Sequence, residues 1–193
     1  MNTWNSLFKE ISLDWIIGLP PSLKNGQYYN SILIVVCQVI KYALFISTRD
    51  DIIAANFAEL FFKHVECCFG SPQSIIIDRD SCITLDFWRE VCEMKIIKHR
   101  LSIAYHPQID GQSEALNWIM KDYLHVYTSE DQTIWAKLLS LAQFIYNNSW
   151  NHIIKVSLNC LLHGFNCEIC VDVADNIFER RIPATLDYIK KLY

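Results

Sequence analysis

SILIVVCQVIKYALFIST, residues 31–48, contains the longest apolar run in the chain, and its reading decides the fold. A membrane-spanning helix needs about 20 consecutive apolar residues. This run is shorter and is broken by Gln38 and Lys41. It therefore reads as two β-rich segments, buried side by side at the centre of a sheet. The N-terminus carries Lys9 and Glu10 and has no basic start followed by an apolar stretch, so neither a signal peptide nor a membrane partner is expected.

Upstream, ISLDWIIGL at 11–19 is a further strand, separated from the pair by the turn cluster PPSLKNGQ at 20–27. The three form a meander. Downstream, residues 50–68 place apolar side chains at helical spacing, with acids at the start and Gly70 and Pro72 as the stop. SIIIDRD (74–80) is a short buried strand, 85–95 a second helix and 96–104 a fifth strand. Two longer amphipathic helices follow at about 113–127 and 133–147. Trp135, Leu138, Leu139, Ala142 and Phe144 are expected to form the apolar side of the last. This order predicts an α/β fold, a five-stranded mixed sheet flanked by helices.

Three acids stand in chemically suggestive places. Asp14 interrupts an apolar strand, where a carboxylate without a partner is costly. Asp78 ends the strand SIII, and Glu114 opens a helix after the loop YHPQIDGQS. Singly, Asp78 reads equally as a solvated turn residue and Glu114 as a complement to the helix dipole. Together, carboxylates on a strand centre, a strand end and a helix suit two divalent cations about 3.5–4 Å apart, which can activate an oxygen nucleophile and stabilise a leaving oxygen. Hard oxygen ligands favour Mg²⁺ or Mn²⁺.

The segments ISLDWIIGLP, SPQSIIIDRD, Phe87-Trp88, AYHPQIDGQSEALN and FIYNNSWN resemble the integrase catalytic core of gypsy-type LTR retrotransposons, from about residue 11 to about 164. The YHPQ to EALN block is the most specific part. The resemblance implies an RNase H-like fold and metal-dependent DNA 3′-end processing and strand transfer, the work of a polynucleotidyl transferase. It implies Asp14, Asp78 and Glu114 as catalytic residues and ligands of two ions, Asp14 and Asp78 holding one, Asp14 and Glu114 the other. Tyr105, His106, Gln108 and Gln112 would belong to a DNA-contacting active-site loop hinged at Gly111. Asn117 and Lys121, three and seven residues beyond Glu114, would share its helix face and reach DNA. The implied partners are element and target DNA and a second copy of the chain in a homodimer or higher oligomer, with no small-molecule substrate. The implied location is intracellular, in the nucleus.

Composition adds constraints. The 193 residues suffice for one substantial core, read as a catalytic domain over 1–165 with a C-terminal extension over 166–193 in which ATLDYIKKLY could form a short helix. An apolar fraction of 52% and a mean hydropathy of +0.14 point to a buried interface. The net charge of -4 is wrong-signed for a stand-alone nucleic-acid binder. The basic cluster KIIKHR, with Lys95, Lys98, His99 and Arg100, reads equally as a DNA contact or a solvated strand edge. The 8 cysteines, among them Cys37, Cys92 and Cys160, sit in apolar runs and suggest reduced, buried thiols. His152, His163, Cys167 and Cys170 have the ligand types of a zinc site but the wrong spacing for one.

Departures from the family pattern point to a second reading. Cys37 and Gln38 replace an aspartate and an arginine, Ile109 a loop threonine, Trp118 a basic residue, and SLNC at 157–160 an S-P-F segment. Loss of charge and of a loop hydroxyl weakens DNA handling more than folding. The alternative is a decayed or domesticated integrase remnant that binds nucleic acid or dimerises without catalysis.

Overall fold

The computed structural model describes residues 7–77, 133–151 and 154–168. Its centre is a four-stranded mixed sheet. β1 (Glu10–Ile16) runs antiparallel to β4 (Ser31–Cys37), which runs antiparallel to β5 (Ala43–Thr48). β6 (Ser74–Ile77) lies on the other side of β1 and parallel to it, so the order is β5-β4-β1-β6. The run at 31–48 is the predicted strand pair. Every residue of β4 is buried, because both faces of the sheet are covered.

Side-chain alternation sorts the core into two layers. On one face, Ile11 and Leu13 of β1, Leu33, Val35 and Cys37 of β4, and Leu44 and Ile46 of β5 pack against a helical segment. That segment runs through α1 (Ala54–Phe61), a wider π-helical turn (Phe62–Glu66) and α2 (Cys67–Phe69). It presents Ala54, Phe57, Phe61 and Val65 as its buried stripe. Gly70, at φ 80°, ends it where glycine was expected to. The opposite face, with Ile16, Ile32, Ile34, Val36, Ala43 and Phe45, is closed by α3 (Trp135–Asn148).

Four expectations need correction. The acids at 50–51 do not open the helix, whose first turn has no acid. Asp51 instead takes a forked pair from Arg49, and Asp50 is joined to Asn30 by two hydrogen bonds, so the chain stays in a turn until Ala54. The turn cluster is itself a hairpin, β2 (Ser22–Lys24) with β3 (Gln27–Tyr29), folded at Asn25-Gly26, where both residues have positive φ. Phe144 is only half-buried, and Tyr146 takes its place on the apolar side of α3. The rotation explains this: Phe144 is about 200° around the helix from Ala142. Finally, the thiols are free, but only Cys37 is buried among the described cysteines. Cys160 and Cys167 are half-buried, while Cys67 and Cys68 are exposed.

The N-terminal end of α3 is held by polar side chains. Ser22 Oγ accepts from Ala136 N at 3.1 Å and donates to Thr133 O, and Trp135 Nε1 donates to Pro20 O at 2.7 Å. Beyond α3, a two-residue ladder joins β7 (Trp150–Asn151) to β8 (Val156–Ser157), and α4 (Leu158–His163) follows. Within SLNC, Ser157 is the N-cap of α4, its Oγ accepting from Cys160 N at 3.0 Å. No helix among the described residues is long and apolar enough to cross a membrane.

Candidate nucleic-acid processing site

Asp14 sits in the middle of β1, opposite Ile34 of β4. Its parity with Ser12 and Ile16 places it on the face covered by α3, and it is half-buried. One carboxylate oxygen, Oδ1, accepts from the Trp15 backbone N at 2.7 Å. A strand with neighbours on both sides has little freedom to move, so the carboxylate is carried on a rigid support.

On the other side of β1, the parallel register runs Glu10↔Ser74, Ile11↔Ile75, Ser12↔Ile76 and Leu13↔Ile77. The start of β6 is tied down by Gln73 N and Ser74 N, which both donate to Lys9 O. The ladder is thus described up to the residue pair just before Asp14 and Asp78. Asp78 and Glu114 lie outside the described residues. So do Tyr105, His106, Gln108, Gly111, Gln112, Asn117 and Lys121, and the basic cluster Lys95, Lys98, His99 and Arg100.

Below Asp14 on the same face, Ser12 Oγ accepts from Gln38 Nε2 at 2.6 Å, and Gln38 Oε1 accepts from Lys41 Nζ at 3.0 Å. Burial holds the Lys41 ammonium below the usual lysine range. Gln38 stands where an arginine is expected. It acts as the bridge between β1 and the β4–β5 turn, a role that requires a side chain able to donate and accept at once. Nothing local in the sequence marks that role.

The zinc ligand types do not assemble among the described residues, where no group of three histidine, cysteine or acidic side chains could hold a metal. His163 instead lies edge-on to the Tyr42 ring, at 6.5 Å between centroids, and Cys167 presents its carbonyl to Asn148 Nδ2 at 3.1 Å. His152 and Cys170 lie outside the described residues.

No family model matches the chain. It is similar to Transposon Tf2-3 polyprotein and Transposon Tf2-4 polyprotein of Schizosaccharomyces pombe, in each case 29% identical over 163 residues, 84% of this chain. The chain spans 12% of the length of these relatives. Among solved structures, it resembles the catalytic core domain of BIV integrase, with a TM-score of 0.56 and 17% identity over 81% of this chain and 95% of that one. The HTLV-2 integrase catalytic core domain, solved in complex with magnesium in a trimeric form, gives a TM-score of 0.53 and 15% identity over 78% and 93%. An intasome of simian T-cell lymphotropic virus, in complex with a PP2A regulatory subunit, gives 0.57 and 19% over 84% and 56%. The fold is RNase H-like, as expected, and the resemblance to integrase cores read from the motifs returns in these relatives.

Proposed function

We propose, for a chain that resembles retrotransposon and retroviral integrase catalytic cores in sequence and in fold, that it is the catalytic core of an LTR-retrotransposon integrase. It would process the 3′ ends of element DNA and join them to a target, as part of a longer polyprotein. The observation that carries the reading is the parallel pairing Leu13↔Ile77. Asp14 and Asp78 are the next residues of the chain after this pair, and the proposal is that they act together at one metal site.

Asp14, Asp78 and Glu114 would hold two Mg²⁺ or Mn²⁺ ions, and the half-buried Asp14 carboxylate on its rigid strand fits a hard cation. Bound divalent ions supply Lewis-acid activation of the attacking oxygen and stabilise the leaving oxygen. The chain's own part is to keep its carboxylates in place before substrate arrives. Asn117 and Lys121 would steady the DNA backbone, and Tyr105, His106, Gln108 and Gln112, on a loop hinged at Gly111, would approach the strand to be cut. DNA, a second copy of the chain and a nuclear location follow from the same reading. The magnesium, the trimeric form and the intasome named for the structural neighbours support it.

The second reading, a domesticated remnant that binds DNA or dimerises without catalysis, draws support from the net charge of -4 and from Gln38, which is occupied with Ser12 and Lys41. One assay separates the two. Purified protein is tested for Mn²⁺-dependent disintegration, the reversal of strand transfer, alongside Glu114→Gln and a chelator control. Activity lost in the variant and with chelator supports the enzyme. A folded, inactive wild type favours the remnant.

A further inference from the structure

Three buried polar side chains near the end of the described chain have no part in the proposed chemistry. Ser157 and Asn159 are each 4% exposed and Asn148 is 7% exposed. Burying such groups is unfavourable unless they are hydrogen-bonded. Asn159 Nδ2 donates to Asn148 Oδ1 at 3.2 Å, and Asn148 Nδ2 donates to Cys167 O at 3.1 Å. Ser157 Oγ, besides capping α4, donates to Asn166 Oδ1 at 2.9 Å.

The chain reaches these partners through a tight reversal. Gly164, at φ 83°, closes α4 with its N–H donating to Cys160 O at 2.8 Å. The next residue, Phe165, is 62% exposed, its ring lying 6.1 Å from that of His163. The grip on residues 166–167 is therefore polar and comes from the ends of α3 and α4.

We propose that Asn148, Asn159 and Ser157 form a clamp that anchors the chain at residues 166–167. Residues 165–167 are then a fixed strap and not a free linker. The clamp fixes residues 166–167 beside the C-terminus of α3. Directional side-chain hydrogen bonds to one backbone carbonyl and one amide specify position more narrowly than an apolar contact would.

Limited chymotrypsin digestion of the full chain tests this, since the exposed Phe165 is a suitable cleavage residue. Cleavage after Phe165 should be slow in the native protein, because the strap must open first. Asn166→Ala and Asn148→Ala should each accelerate it about fivefold or more, the factor expected for one lost hydrogen bond of about 1 kcal/mol. Rates are normalised to the same variant unfolded in denaturant, which removes the effect of residue 166 on the protease itself. Asn166→Ala changes no core side chain, so it decides the matter if Asn148→Ala does not fold. Native cleavage as fast as in the unfolded chain, or equal normalised rates in wild type and Asn166→Ala, would overturn the clamp.

Discussion

The side-chain amide of Asn147 pairs with both polar groups of the Ala43 backbone: Oδ1 accepts from Ala43 N at 3.0 Å, and Nδ2 donates to Ala43 O at 2.7 Å. β5 is the last strand on that side of the described sheet. Its outward groups at Ala43 are met by a helix side chain acting as a short piece of neighbouring strand. Gln143, one turn earlier on α3, does the same for Phe45 N at 2.8 Å. An edge covered in this way is poorly available for pairing with another chain.

Asn147→Ala leaves a buried N–H and C=O without these partners and is expected to destabilise the fold by about 2–4 kcal/mol. Denaturant unfolding monitored by circular dichroism measures the loss. Asn147→Asp keeps the acceptor but sets a charge against the Ala43 carbonyl. Its deficit should shrink as pH falls and the carboxyl regains a proton to donate; a pH-independent deficit would contradict the pairing.

Trp135 is the largest fully buried side chain of the described residues. Trp135→Ala should cost about 3–5 kcal/mol through the cavity it opens. Trp135→Phe retains much of the packing but removes the hydrogen bond to Pro20 O, for about 1 kcal/mol. Thermal melts of the two variants should therefore be well separated, with the alanine variant far lower.

Burial pushes the Tyr146 hydroxyl up to about 12. The folded value lies above the unfolded one near 10, so folding favours the neutral phenol. The associated stability is fully present below about pH 10 and is lost as pH rises through about 12, a difference of roughly 2–3 kcal/mol. Tyr146→Phe should flatten that alkaline loss. An unchanged stability profile between pH 10 and 12 would show that the hydroxyl titrates in contact with water.

Asp14→Asn preserves side-chain shape and can still accept from Trp15 N. Its melting temperature should stay within a few degrees of wild type, while on the proposed function Mn²⁺-dependent disintegration falls by at least about a hundredfold. Retained activity would remove Asp14 from the proposed ligand set.

Much of the sheet was legible because its signals are local. The runs at 11–19 and 31–48 are rich in β-branched and aromatic residues and bounded by turn residues, and Trp135, Leu138, Leu139 and Ala142 repeat at helical spacing. The hairpin was hidden because three-residue strands carry too little pattern, although Asn25-Gly26 was a fair signal for its turn. The start of α1 was misplaced because Asp50 and Asp51 complement a helix dipole as plausibly as they pair with Asn30 and Arg49.

By itself, the sequence determined that strands lie within 11–19 and 31–48 and a helix near 133–147, and that an acid stands within a buried strand. Only the tertiary structure decided which face Asp14 occupies, that Gln38 bridges Ser12 and Lys41, and that Asn147 closes the β5 edge. Periodicity records whether a residue is inside or outside its own element. Which backbone groups remain unpaired depends on strand order, and Asn147 meets Ala43 across 104 positions of chain. A contact of that range exists only once both layers have packed.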